Sequence, residues 1–190
     1  MIRLRRAGAW RKLVLLARKH RKTIGITGAT GSGKTNKAKR LMRITDPDLR
    51  LITIESDPET AKAGTRNTVN LLFGDSRSGI TPVQCVDAAL RMRPDEIHLG
   101  EIRGAEGFAY LHALAAGHPG GITTWHANAG EEITALIGLI KEHTSGQALA
   151  DVEKRIKTFI DVIFWCDRSP VTKKFSVPHV WLKAEEGIAV

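Results

Sequence analysis

Apolar residues recur along this chain with two periods, and each period predicts a different kind of element. Near the start, Trp10, Leu13, Val14 and Ala17 stand at i, i+3, i+4 and i+7, which lines one face of a helix. Arg11, Lys12, Arg18 and Lys19 surround that stripe. Thr23-Ile24-Gly25-Ile26-Thr27 is instead a compact run that predicts a short buried strand. A glycine-rich loop follows, then a helix from near Gly33 through Met42. Asp46-Pro47-Asp48 marks a turn before a second strand over 51–54. Thr81 and Pro82 open a helix running to Met92, with the threonine as cap and the proline at the first position, where an N–H is not needed. A strand over 96–100, a helix over about 105–116 and a strand over 122–125 come next, then helices near 130–143 and 148–158. Late strands are expected over 162–165 and 177–182, the second at a sheet edge because Pro178 cannot donate to a ladder. Strands alternating with helices predict an α/β fold with a mainly parallel central sheet flanked by helices.

Composition changes this picture little. Of 190 residues, 42% are hydrophobic and 26% charged, an ordinary balance for one globular domain. No apolar run approaches the roughly 18 residues of a membrane span, and no secretory signal is expected. Cys85 and Cys166 have neither metal-ligand spacing nor the look of a disulfide framework, and read as small buried residues in a reducing compartment. The net charge of +9 is local: residues 1–22 hold nine of the 29 Lys and Arg and no acid, so the other 20 balance the 20 acidic residues of the body. A protein-wide basic face does not follow, and direct nucleic-acid binding is not expected.

The chemistry begins at Gly28-Ala29-Thr30-Gly31-Ser32-Gly33-Lys34-Thr35, a full match to the pattern G-x-x-x-x-G-K-S/T between a strand and a helix. Its glycines let the loop wrap so that consecutive N–H groups face phosphate oxygens, and the helix beyond adds its positive end. Lys34 can reach the β- and γ-phosphates of ATP, and the Thr35 hydroxyl can bind Mg²⁺. Hydrolysis needs an acidic residue at the end of a neighbouring strand to hold the metal, and Ile97-His98-Leu99-Gly100-Glu101 supplies Glu101. His98, in mid-strand, is expected to be a core histidine.

Four further strings, in order, carry a family likeness: Leu90-Arg91-Met92-Arg93-Pro94-Asp95, Gly100-Glu101-Ile102-Arg103-Gly104, Gly117-His118-Pro119-Gly120 and His126-Ala127-Asn128. With the phosphate loop they resemble the secretion-ATPase superfamily of type II and type IV secretion and type IV pili, most of all its type IV secretion and conjugal-transfer branch. The likeness spans roughly 23–165. It implies a RecA-like P-loop ATPase domain over 23–190, with the family's N-terminal domain outside these residues. It also implies catalytic roles for Glu101, Glu59, Lys34, His126 and Arg103, and metal contacts at Thr35 and Glu101. The family's acidic box falls on Thr53-Ile54-Glu55-Ser56-Asp57-Pro58-Glu59, where one of the two glutamates, Glu59 by preference, would polarise the attacking water. His118 and His126 match its histidine box, and His126 would sense the γ-phosphate. Arg91, Arg93 and Arg103 match arginines of which some act across a subunit boundary.

Three substitutions stand apart from the family pattern: Asn36 after the cradle, Ser56 within the acidic box and Trp125 before His126, the last read as a core residue. The basic leader over 1–22 has three readings: a linker or packing helix, a helix docked on an anionic membrane surface, or a nucleic-acid contact. The likeness as a whole implies a homohexameric motor, cytoplasmic and peripheral at the inner membrane, that couples ATP turnover to substrate transfer or machine assembly with inner-membrane secretion proteins. The alternatives are a pilus or type II assembly ATPase, or a nucleotide-binding subunit without turnover.

Overall fold

Seven strands form one sheet in the order β3-β2-β4-β5-β1-β6-β7, in a computed structural model that describes residues 1–60, 63–74, 79–142 and 149–183. The strands are β1 (Ile24–Gly28), β2 (Arg50–Glu55), β3 (Asn67–Leu72), β4 (Glu96–Leu99), β5 (Ile122–Trp125), β6 (Val162–Arg168) and β7 (Phe175–Leu182). The helices are α1 (Ile2–Arg6), α2 (Trp10–Lys19), α3 (Lys34–Met42), α4 (Pro82–Arg91), α5 (Glu106–Ala115), α6 (Glu132–Glu142) and α7 (Leu149–Phe159). All neighbours pair in parallel except β6 and β7, which are antiparallel. This is the mainly parallel α/β sheet that the alternation of elements predicts, with Pro178 on the edge strand.

The central strands are buried on both faces, which is why they read as apolar runs rather than alternating ones. β3 differs. Asn67, Thr68 and Asn70 make it polar, it lies at the edge, and no strand is expected there from sequence. It forms because β2 offers it a full parallel ladder from Arg50↔Asn67 to Glu55↔Leu72, helped by Thr53 donating to Asn70 at 2.7 Å. The start of α4 is as expected: Thr81 and Gln84 satisfy each other's backbone N–H groups at 3.2 and 2.8 Å.

Apolar side chains pack on both faces of the sheet. On one, α4, α5, α6 and α7 cover Ile52, Ile54, Ile97, Leu99 and Trp125. On the other, α2 and α3 cover Ile24, Ile26, Leu51, Ile122 and Phe164. Trp125 is fully buried, with its indole N–H donating to the Glu132 carbonyl at 2.9 Å, so the core reading of this residue holds. Room for its ring comes from Gly25 on the adjacent strand, where a Cβ would lie 2.3 Å from Trp125 Cη2.

The basic leader is two helices rather than one, parted by Gly8 at φ 63°. Leu13 and Ala17 of α2 are buried in the same cluster as α3. Arg18, placed by the pattern among the surface charges, is buried as well. Its guanidinium bonds Glu96 at 2.6 Å, Thr45 at 2.5 Å and the Gly120 carbonyl at 2.5 Å. Glu96 also meets His98 at 3.1 Å, which gives that mid-strand histidine its structural role. Burial pushes the Glu96 carboxyl up, but His98 and Arg18 overcome it and hold it below the usual carboxylate range. Burial pushes the His98 imidazole down, against a partial pull upward from Glu96.

Both shifts act on stability in one direction. The unfolded chain binds protons at these groups more readily than the folded one, so stability present above the ordinary histidine value of 6.5 is lost as pH falls, through His98 first and Glu96 after it. Replacing Arg18 by Ala should cost about 3–5 kcal/mol in urea unfolding at pH 7, because it leaves Glu96 buried without its 2.6 Å ion pair. Gly25→Ala should cost about 1–3 kcal/mol by overpacking Trp125, while Gly138→Ala, where a Cβ meets open space, should not destabilise.

Candidate functional site

Strand order brings the site together. β2, β4, β5 and β1 lie side by side and point the same way, so the segments leaving their carboxyl ends emerge on one edge of the sheet. Those segments carry Glu55, Glu101, His126 and the Gly28–Thr35 loop, residues scattered over a hundred positions of sequence. A cavity of about 560 Å³ opens there, with Thr30, Gly31, Lys34 and Thr35 on one wall and Glu59, Glu101, Arg103 and His126 on others.

The loop depends on glycine at three positions. Gly31 and Gly33 take φ of 75° and 85°, which side chains disfavour. At Gly28, with φ 138°, a Cβ would stand 2.1 Å from the Cys166 carbonyl oxygen of β6. Gly33 caps α3 without any side-chain acceptor, so the helix opens with its first N–H groups unclaimed by a cap. Ser32 Oγ is buried with no hydrogen-bond partner among the described residues. The Lys34 ammonium donates to the Gly28 and Ala29 carbonyls at 2.9 and 3.1 Å. Burial pushes its pKa down, and the Glu101 carboxylate pulls it part of the way back. An uncapped helix start, an orphaned buried hydroxyl and a partly desolvated cation together fit a phosphate chain.

His126 stands between the cation and the carboxylate. Its Nδ1 is 3.5 Å from Lys34 Nζ and its Nε2 is 2.9 Å from Glu101 Oε1. An ammonium only donates, so Nδ1 is the acceptor and Nε2 carries the hydrogen given to Glu101. The other Glu101 oxygen accepts from Arg103 Nε at 2.7 Å and from Arg103 Nη2. The loop bearing both residues is pinned at two points. Glu106 accepts from the Arg103 and Gly104 amides, and Thr124 donates to the Gly100 carbonyl at 2.8 Å.

The acidic segment forms a further wall. Glu55 ends β2 and is buried, both its oxygens accepting from the Thr60 amide at 3.1 Å. Burial raises its pKa, the Thr60 bonds oppose the rise, and the charge of Glu59 adds to it. Glu59 itself is more exposed and lies 4.0 Å from Lys39 Nζ. Ser56 donates to the Asp57 carboxylate at 3.1 Å, and both line the cavity.

Other motif residues lie elsewhere. His118 precedes β5 and meets the Pro94 carbonyl at 2.9 Å, at the amino edge of the sheet and away from the cavity. Arg91 ends α4 and Arg93 follows it before β4, on that same edge, which leaves Arg103 as the motif arginine lining the cavity. Glu106, Thr124 and the Thr60 amide were not anticipated. Glu106 had a legible signal, a glutamate in the first turn of a helix behind Gly104; Thr124, one of several strand threonines, had none.

A family model described as type II/IV secretion system protein matches residues 9–160. The protein VirB11 of Agrobacterium fabrum is 40% identical over 174 residues, covering 87% of this chain and 49% of that protein. The type IV secretion system protein VirB11 of Bartonella henselae is 37% identical over 169 residues, covering 84% of this chain and 46% of its own length. The crystal structure of the VirB11 ATPase from the Brucella suis type IV secretion system, in complex with sulphate, superimposes with a TM-score of 0.89 at 28% identity. It covers 96% of this chain and 55% of that one, so the chain spans about half the length of these relatives. A model match over most of the chain, on a RecA-like sheet whose strand ends converge on a phosphate loop, makes this chain a member of the type II/IV secretion system protein family.

Proposed function

We propose that this chain is the ATP-hydrolysing part of a motor in a bacterial type IV secretion or conjugal-transfer system, coupling turnover to substrate transfer or machine assembly at the inner membrane. The observation that carries the reading is the Lys34–His126–Glu101 chain at the mouth of the phosphate loop. In it a phosphate-binding cation, a sensor and a metal-side carboxylate are already in mutual reach. The loop amides and Lys34 hold the β- and γ-phosphates, and Thr35 and Glu101 hold Mg²⁺. Bound Mg²⁺ supplies neutralisation of the phosphate oxygens. Glu59 on the facing wall orients the attacking water, with Glu55 behind it. Arg103, largely exposed, is placed to meet charge developing on the transferred group, within the chain or from a neighbour in a homohexameric ring. His126 exchanges its Nε2–H bond to Glu101 for one to the γ-phosphate, and so reports its presence.

A second reading, a nucleotide-binding subunit of a mixed ring without turnover, is favoured by two details. Glu59 leans to Lys39, and both Glu55 oxygens are taken up by Thr60. The two separate cleanly. The proposed motor shows slow Mg²⁺-dependent ATP hydrolysis that Lys34→Ala reduces on the order of 100-fold or more. Glu101→Gln retains nucleotide binding and loses turnover by a similar factor. Binding of ATP with no phosphate release at any protein concentration selects the second reading.

Peripheral contact with an anionic membrane is proposed for the outer face of α2, where Arg11, Lys12 and Lys19 are exposed. Since Leu13 and Ala17 belong to the core, deleting the leader would damage the fold, and charge reversal is the sharper test. Arg11→Glu with Lys12→Glu should weaken salt-sensitive binding to phosphatidylglycerol vesicles by more than about tenfold. Unchanged binding would remove this face from the interaction.

A further inference from the structure

The phosphate loop has two flanks, and only one of them bears the hydrolytic groups. β5 and β4 lie on one side of β1 and present His126 and Glu101; β6 and β7 lie on the other. On that second side the turn between β6 and β7 brings an aromatic ring to the loop. Phe175 is 53% exposed, one of few large apolar side chains left in solvent among the described residues. Its Cδ1 and Cε1 would each stand 3.0 Å from a Cβ built on Gly33, so the ring lies directly against the backbone where α3 begins. Arg168 across the hairpin places its guanidinium 5.1 Å from the ring centroid, and Lys37 of α3 donates to the Ser176 carbonyl at 3.2 Å. The ring is therefore held from two sides, by a cation on its own hairpin and by a tie from the helix it abuts.

An apolar ring kept in water beside an anion cradle costs free energy unless something covers it. From these positions we infer that Phe175 and Arg168 form the nucleoside-binding end of the site, Phe175 stacking on the base and Arg168 facing the ribose. The inference rests on the nucleotide reading above and extends it to the part of the substrate beyond the phosphates. With the γ-phosphate drawn toward Lys34, His126 and Glu101, the chain of phosphates leaves the cradle over Gly33, on the side where the hairpin stands. Stacking on a ring accepts any base, so the platform secures a nucleoside triphosphate over a bare polyphosphate without choosing adenine over guanine.

Equilibrium binding of the full chain to Mg²⁺-ATP, Mg²⁺-GTP and inorganic tripolyphosphate tests this. Phe175→Ala should weaken both nucleotides roughly tenfold, leave tripolyphosphate unchanged, and be rescued by Phe175→Trp. Arg168→Gln should weaken nucleotides and spare tripolyphosphate in the same way. Nucleotide affinity untouched by Phe175→Ala overturns the platform while leaving the cradle intact. An equal loss for nucleotide and tripolyphosphate also overturns it, since Phe175 would then merely prop the loop through Gly33. A wild-type chain that binds none of the three probes refutes the platform and the nucleotide reading together, and so marks the second failure apart from the first.

Discussion

The insertion of β5 between β1 and β4, all three parallel, is the constraint on which the rest of this molecule depends. Parallel neighbours send their carboxyl ends to one edge, and the crossovers that link them must be long enough to return the chain over a face of the sheet. Three consequences follow at once. The loop after β1 lines the cavity at that edge. The segment after β4 sets Glu101 two strand positions away, and the segment after β5 drops His126 into the gap between. A strand spacing of roughly 4.8 Å leaves one side chain's reach between neighbours, which is the scale of the 3.5 and 2.9 Å contacts His126 makes.

β4 also couples the site to the first helices. Its amino end carries Glu96, locked to Arg18 of α2, and its next inward-facing residue is His98. Its carboxyl end leads into Glu101. A four-residue strand has little freedom between two such anchors. Arg18 also holds Thr45, after α3, and Gly120, before β5, so one buried guanidinium joins the segments that lead into β2, β4 and β5. Breaking a buried charged pair costs far more than forming it returns. Such a knot therefore does more to exclude other packings of α2 than to add to net stability. Movement of α2 as a rigid piece would be felt first along β4.

Much of this was legible beforehand, for particular reasons. The phosphate loop needs glycines at φ values that side chains avoid, so its sequence is nearly its geometry. The capped start of α4 is equally local: Thr81, Pro82 and Gln84 each do in the structure what their chemistry permits in a peptide. Glu101 and His126 could be named because each ends a recognisable strand. What stayed hidden is what depends on partners far along the chain. β3 is polar and exists by virtue of β2. Arg18 looked like one more surface charge because the acid that buries it is 78 positions away. His118 and His126 sit in similar strings yet on opposite edges of the sheet, since one precedes β5 and the other follows it. Period and motif report which strand; only direction reports which end.

The balance of charge around the cavity carries the last step. Among the described residues its walls bear five carboxylates, Glu55, Asp57, Glu59, Glu101 and Glu106, against two permanent cations, Lys34 and Arg103. Arg103 is already spent on Glu101, and Lys34 is partly desolvated. A triphosphate brings several more negative charges into the same space, where water screens them less than in bulk. Bare polyphosphate is thus repelled by the wall opposite the loop even as the loop attracts it. On the proposed function, a divalent cation held by Thr35 and Glu101 would offset that wall's charge. The carboxylates that oppose an anion alone would then help to place the anion and its metal together.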